Sequence, residues 1–480
     1  MVQGVAIEDG CIVDTNPATG EVVARVPVST PAQVDAAIAA AKASQPAWNL
    51  IPLAQRIEKL KAACSSLASQ KEELATLITT EMGKVKSEAL EEMDGAADKD
   101  AFLDLIMEAN KPQQIENGLV VREPHGVVAV CSPWNFPADE GLLLALPALA
   151  AGNTVVIKPS EVVPLIGAKV AGALIAGLPE GVVQLVQGDG AVGAALVAGD
   201  VQMIGMTGST ATGKQIMESA AQDLKRLVLE LGGKDPMIVF ADADLELAVT
   251  HAVQNSLYNC GQVCCSVERV YVDAAILPEF EKRCAALATE FTAGDGLAQA
   301  SKIGPMVSAM QRNAVAAQVE QAVADGARIV AQATVPSVGA NWYPATVLSG
   351  LTHESPINQA ETFGPVVALC SFDGSEAEAV RLANDTEYGL AAYVYSQDLV
   401  KAGRVAMGIK AGQVGINNWS LNEAPTACPW VGHKGSGFGF HSGADGWRQF
   451  SVPKSLIFNS PEDLQVMASH QEAAVAPAAL

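Results

Sequence analysis

Gly152-Asn153-Thr154-Val155-Val156-Ile157-Lys158-Pro159-Ser160-Glu161 decides the fold class. Three consecutive apolar, β-branched residues sit between a Gly-Asn turn and a Lys-Pro-Ser break. That is the pattern of a short strand buried on both faces, as in a parallel sheet covered by helices. Similar apolar runs occur at 182–186 and 203–206, with helical patterns between them. A second region of alternating strand and helix signals extends from about 237 to 416. Such alternation predicts an α/β protein with parallel sheets.

Working outward, Asp14-Thr15-Asn16-Pro17-Ala18-Thr19-Gly20 is turn chemistry, followed by a strand-like segment at 21–28. Thr30 then reads as an N-cap, with Pro31 at the first helical position and Gln33 completing a capping box. Alanine-rich helical patterns continue to about Glu108. Residues 118–130, around Pro124-His125-Gly126, are expected to form a hairpin. The apolar stretch 141–152 contains Pro147 and is too short to span a bilayer, so it reads as a buried helix. A last strand is expected at 450–458. The tail from Ser460 has little apolar content beyond alanine and is expected to be mobile.

The chain has 480 residues, 49% of them hydrophobic and 17% charged, which suits two or three well-buried globular domains. Its net charge of −23 opposes binding to nucleic acid or to an anionic membrane surface. Nine cysteines without paired spacing, and no basic-then-apolar segment at the start, suggest reduced thiols in the cytoplasm, an organelle not being excluded. The six histidines show no ligand spacing, so no metal is expected.

Five segments carry chemistry. Asn259-Cys260-Gly261-Gln262-Val263-Cys264 presents a thiol after a glycine-containing loop, and Glu230-Leu231-Gly232-Gly233-Lys234 offers a carboxylate. A thiolate attacks carbonyl carbon and a carboxylate activates water. Cys264 is the candidate nucleophile and Glu230 the candidate base; a buried packing cysteine is the plainer alternative. Pro133-Trp134-Asn135-Phe136-Pro137 holds one amide between two prolines, suited either to stabilising an oxyanion or to closing a turn. Thr207-Gly208-Ser209-Thr210 follows a strand and opens a helix, where free N–H groups attract phosphate. Lys158 and Glu161 stand at a strand's carboxyl end, where open α/β sheets bind ligands. A carboxylate there accepts hydrogen bonds from ribose hydroxyls and repels a 2′-phosphate, which favours NAD over NADP; a surface ion pair is the alternative. Gly188-Asp189-Gly190-Ala191-Val192-Gly193 matches a loose dinucleotide pattern but reads better as a strand-to-helix turn.

Together with Glu361-Thr362-Phe363-Gly364-Pro365, these motifs resemble the NAD(P)-dependent aldehyde dehydrogenase superfamily in order and spacing, from about residue 14 to 457. The resemblance implies a Rossmann-type cofactor domain (1–111 and 131–232), an α/β catalytic domain (233–432) and a small β oligomerisation element (112–130 and 448–460), with 461–480 as a tail. It implies that Cys264 attacks the aldehyde, that Asn135 and the Cys264 N–H hold the oxyanion, and that Glu230 activates the water that hydrolyses the thioester. CoA-acylating relatives typically lack that base, so an acid product is implied. Lys158, Glu161, Gly208, Ser209, Trp134, Gly232, Glu361 and Phe363 are implied to contact NAD, and a homodimer or homotetramer is implied. The chain departs from the family where Pro429-Trp430-Val431-Gly432 stands for the usual Pro-Phe-Gly-Gly, and where Phe440 stands for a common arginine.

Positions matching the substrate tunnel are Phe136, Asp139, Glu140, Leu143, Tyr258, Val263, Cys265 and Trp430, with Glu423 in a bordering loop. Aromatic faces beside carboxylates suit a cationic amino- or trimethylammonio-aldehyde; an aliphatic or aromatic aldehyde is the alternative. Competing classes are a cysteine esterase or thioesterase, with His251 the histidine nearest in sequence, and a structural protein on a retired enzyme fold.

Overall fold

A computed structural model describes residues 5–337, 341–419 and 425–468. Two large sheets organise the chain. The first has six strands in the order Gly437–Phe438, Arg226–Glu230, Met203–Thr207, Val127–Cys131, Thr154–Lys158, Val183–Leu185. All run parallel except the short Gly437–Phe438 edge. Thr154–Lys158 is buried along its whole length, which explains its unbroken apolar run. The strand order reverses beside Val127–Cys131: successive strands add on one side, then the chain crosses to the other. The crevice outside the carboxyl ends at such a reversal is where open α/β sheets bind ligands.

The second sheet has seven strands: Arg328–Gln332, Thr346–Leu351, Val366–Phe372, Val267–Asp273, Asp235–Val239, Ala391–Tyr395 and Gln413–Ile416. Only its Arg328–Gln332 edge is antiparallel. Helices pack on both sheets; Pro31–Leu50 begins with Thr30 accepting from the Gln33 N–H and Gln33 answering to the Thr30 N–H, the capping box read from the sequence. Glu140–Ala150 is the buried helix, and Asp189 caps Gly190–Ala198 at the strand-to-helix turn.

Two expectations are corrected. Residues 118–130 do not form a hairpin. Gly118–Pro124 pairs with Gln113–Ile115 and Ser451–Ile457 in a separate antiparallel sheet, whereas Val127–Cys131 lies inside the six-stranded sheet. Gly126, at φ +134°, lets the chain turn from one sheet to the other. Val127 to Val130 are buried on both faces, which a half-exposed hairpin does not allow. The expected oligomerisation element therefore loses 127–130 to the cofactor sheet. The expected mobile tail instead forms helix Pro461–Ala468, anchored by the buried Leu464; residues 469–480 lie outside the described residues.

Candidate active site

The loop that carries Cys264, the candidate nucleophile, begins where helix Leu245–Leu257 ends. Asn259, Cys260 and Gly261 all take left-handed backbone conformations, so the chain reverses sharply before Cys264. At Gly261 a Cβ would lie 2.1 Å from the Gly364 carbonyl oxygen, so only glycine fits against that backbone. The loop is held from inside. Gln262 donates to the Asn259 carbonyl at 3.1 Å and accepts from the Val307 N–H at 2.9 Å.

Asn135 is tied into this loop. Its amide donates to the Gln262 carbonyl at 3.1 Å, and its own carbonyl accepts from the Asn259 amide at 3.1 Å. A primary amide has two N–H bonds. One donates to Gln262, which leaves the second N–H available beside the Cys264 loop.

Glu230 ends the Arg226–Glu230 strand at the carboxyl edge of the six-stranded sheet. It is 2% exposed, and among the described residues neither carboxylate oxygen has a hydrogen-bond partner of good geometry. Burial, then the nearby Glu140 charge, raises its pKa well above the usual carboxylate range, with the His441 backbone opposing slightly. The chain then runs through Gly232 and Gly233 to the nucleophile loop. A Cβ on Gly233 would lie 2.4 Å from the Cys264 carbonyl oxygen, so the two motifs meet in space. The Cys264 thiol is raised by a contact with Cys265, by burial and by nearby acids including Glu140. Glu140 thus acts on both the thiol and Glu230.

The dinucleotide candidates line the same edge. Lys158 donates to the Pro159 carbonyl at 2.9 Å and pairs with Glu161 at 3.4 Å. Ser209 caps helix Thr210–Ala220, accepting from the Thr212 N–H, and Gly208 donates to the Glu230 carbonyl at 2.8 Å. Glu361 accepts from the Gly233 N–H at 3.1 Å, and a Cβ on Gly232 would lie 2.5 Å from its carboxylate. Burial pushes Glu361 up to about 8. Trp134 and Phe363 meet edge to face at 5.4 Å between ring centres. A carboxylate at a strand end, a helix start that attracts phosphate and a second carboxylate against Gly232 and Gly233 could hold an extended dinucleotide along this edge.

One supporting pair went unread in the sequence. Glu268 and Lys234 form a buried ion pair at 2.6 Å; Glu268 accepts from the Thr362 and Phe363 N–H groups, and Lys234 donates to the Thr362 hydroxyl. Together they fix the Glu361–Phe363 turn. The available signal was an acid inside the apolar strand Val267–Asp273.

The expected pocket residues divide. Phe136 stacks on Tyr258 at 6.4 Å, and Tyr258 meets Trp419 edge-on at 6.1 Å. The Tyr258 hydroxyl donates to Glu91 at 3.1 Å, and Glu88, pushed up to about 8 by burial, accepts from the Asn259 N–H. Lys84 sits 3.8 Å from the Phe136 ring centre and pairs with Glu92. Asp139 pairs with Lys99 at 2.5 Å, and Glu140 accepts from Thr207. Leu143 packs against the core of the first sheet, and Trp430 is half-buried against the core of the second. Val263 is 2% exposed and packs into that second core. Cys265 is fully buried in the same core, with its carbonyl accepting from Tyr393 and its side chain against the Cys264 thiol. Glu423 lies outside the described residues. His251 bonds to Tyr395 at 2.8 Å.

The profile of the Aldehyde dehydrogenase family matches residues 5–456. The chain belongs to the aldehyde dehydrogenase family. A betaine aldehyde dehydrogenase of Sinorhizobium fredii is 39% identical to this aldehyde dehydrogenase over 453 residues, 92% of each chain. Lactaldehyde dehydrogenase from Escherichia coli superposes with a TM-score of 0.90 at 34% identity, covering 95% of this chain and 97% of that one. A betaine aldehyde dehydrogenase from Staphylococcus aureus in complex with NAD+ gives a TM-score of 0.87 at 33% identity, covering 93% and 91%. The protein is an oxidoreductase that oxidises an aldehyde with a nicotinamide cofactor, by the family's cysteine chemistry. Among the described residues no helix is long and apolar enough to cross a membrane, and no group of side chains could hold a metal.

Proposed function

We propose that Cys264 is the nucleophile, Glu230 the water-activating base and Asn135 the oxyanion donor. The carrying observation is the meeting of the Glu230–Gly233 segment with the Cys264 loop, which Asn135 ties from the other side. The contact with Cys265, then desolvation and the nearby acids, keep the proton on the resting thiol, so its attack on the aldehyde carbon requires that proton to leave. Oxygen charge then develops beside the free Asn135 N–H and the Cys264 N–H. Bound NAD supplies the ring that accepts the hydride. Glu230, buried close to the Cys264 loop, deprotonates one water for hydrolysis of the thioester on Cys264 to the acid. The esterase reading is disfavoured by His251, which is engaged with Tyr395.

Lys158 and Glu161 hold the adenosine ribose. Glu161 accepts from its hydroxyls and repels a 2′-phosphate, so NAD is preferred over NADP. Ser209 and the helix start behind Gly208 take the pyrophosphate, Glu361 the nicotinamide ribose, and Trp134 and Phe363 border the nicotinamide end.

The substrate class is a cationic ammonium aldehyde. Phe136, Tyr258 and Trp419 form a joined aromatic surface, and Glu88 and Glu91 lie against Tyr258. Glu88, raised to about 8, is mostly neutral at pH 7 and Lys84 already lies over Phe136, so Tyr258 and Trp419 with the Glu91 charge behind them are what attract a cation and disfavour an anion. The names of the betaine aldehyde dehydrogenase relatives agree with this class. NADH formation is measured for trimethylammonio-acetaldehyde, neutral 3,3-dimethylbutanal and anionic succinic semialdehyde, each with NAD and NADP. The cationic aldehyde with NAD gives the highest kcat/KM; equal turnover of the semialdehyde overturns the class.

The enzyme assembles as a homo-oligomer. Strands Ser451–Ile457 and Gln113–Ile115 are the two edges of their three-stranded sheet and carry exposed Ile115, Val452 and Ile457, which pairing with another subunit would cover. Its nine cysteines are all free, which suits the reducing cytoplasm.

A further inference from the structure

Each hydrolysis leaves a proton on the base, and that base must be cleared before the next turnover. Glu230 is too enclosed to pass the proton directly to bulk water. Thr207 is its register partner on the adjacent parallel strand, so both side chains leave the same face of the sheet. The Thr207 hydroxyl points to Glu140 at 3.5 Å. Next to Glu140, the Asp139 carboxylate pairs with Lys99 and reaches the surface, 27% exposed.

We propose that Glu140 relays the proton from Glu230, by way of the Thr207 hydroxyl, to Asp139 and solvent. The inference rests on the reading of Glu230 as the water-activating base. As water adds to the thioester carbonyl, one of its O–H bonds breaks and the proton bonds to Glu230. The water oxygen forms the new C–O bond, and collapse breaks the C–S bond, leaving the acid and the Cys264 thiolate. The Glu230 O–H bond then breaks and the proton passes to the Glu140 carboxylate, restoring the anionic base. Nothing is oxidised or reduced in these steps.

The surroundings suit the task. Burial, with Asp139 and Glu92 adding to it and Lys99 and Thr207 opposing, pushes Glu140 up to about 7. A group with that affinity both accepts and releases a proton at neutral pH. Glu230 faces it from the neighbouring strand. His441, whose backbone adjoins Glu230, is pushed down to about 3 by burial and then by Lys99, so it stays neutral and does not compete. Glu140 acts through Glu230 and is a positioning and relay residue.

The test uses the full-length enzyme with NAD and neutral propanal, following the NADH burst and the steady-state rate from pH 6 to 9. Glu140→Gln is expected to keep a full burst, to lose about 10–100-fold in steady-state kcat, and to lose the inflection near pH 7. Glu140→Asp restores most of the rate with a displaced inflection, and Thr207→Val falls between. An unchanged kcat and pH profile in Glu140→Gln overturns the relay, as does loss of the burst in a variant that melts like wild type. If Glu140→Gln does not fold, Glu140→Asp and Thr207→Val decide by the same readouts. Glu230→Gln separates the two readings: if it turns over normally, the assignment of the base fails, whatever Glu140 does.

Discussion

The Asn135 amide donates to the Gln262 carbonyl, 3.1 Å away, two residues before the proposed nucleophile Cys264. The strand end after Val127–Cys131 is thereby locked to the loop that carries Cys264, and the remaining Asn135 N–H is aimed without a flexible search. Asn135→Ala should lower kcat by about 10²–10³, the usual loss when one oxyanion donor is removed. Cys264→Ala should abolish NADH formation. Steady-state kinetics with NAD binding measured in parallel checks both, and NAD affinity should be unchanged in each variant.

Gly261 sits at φ +70° with the Gly364 carbonyl where a side chain would begin. Gly261→Ala adds about 1–2 kcal/mol of left-handed strain and a clash with backbone that cannot rotate away. The variant should lose at least about 100-fold in kcat/KM. Wild-type activity in a soluble Gly261→Ala enzyme would contradict the loop geometry.

Lys234 and Glu268 are buried and paired, and removing one partner strands the other charge. Glu268→Ala should destabilise by about 3–5 kcal/mol. The double replacement Lys234→Met with Glu268→Leu should melt higher than either single variant. Thermal melting of wild type, the three single variants and the double variant supplies the comparison.

Asp14 is 2% exposed, and burial pushes it up to about 6 beside the buried Glu81. A raised carboxylate pKa means that the folded protein binds more protons, so stability falls as pH rises from about 4 through about 6. Asp14→Asn removes that ionisation cost and can donate to Glu81. It should gain about 3 kcal/mol at pH 8 relative to wild type and little at pH 4. Melting curves at the two pH values test the sign; a variant less stable at pH 8 would refute it.

Glu91 accepts from the Tyr258 hydroxyl at the aromatic surface. Glu91→Gln keeps the shape and removes one charge. KM for trimethylammonio-acetaldehyde should rise by roughly 3–5-fold, the worth of one solvent-screened charge, while KM for 3,3-dimethylbutanal stays constant. Equal changes for the two aldehydes would show that the charge is not read.

The sequence by itself determined the fold class and the family. Apolar runs such as Val155-Val156-Ile157 and the capping box at Thr30 are local patterns whose physics needs no distant partner, and the structure bears them out. Motif order and spacing carried the family, which the match over residues 5–456 shows. Tertiary structure decided which neighbours met. The strand signals at 118–130 were legible, but their pairing was not, because either segment satisfies its backbone in any sheet and only burial of Val127–Val130 on both faces selects one. Cys265, adjacent to the candidate nucleophile, turned into the core, since successive side chains in an irregular loop follow no fixed period. The Glu230, Thr207 and Glu140 neighbourhood joins three elements far apart in sequence, and the interaction of its charges depends on distance and burial, which only the packed molecule sets.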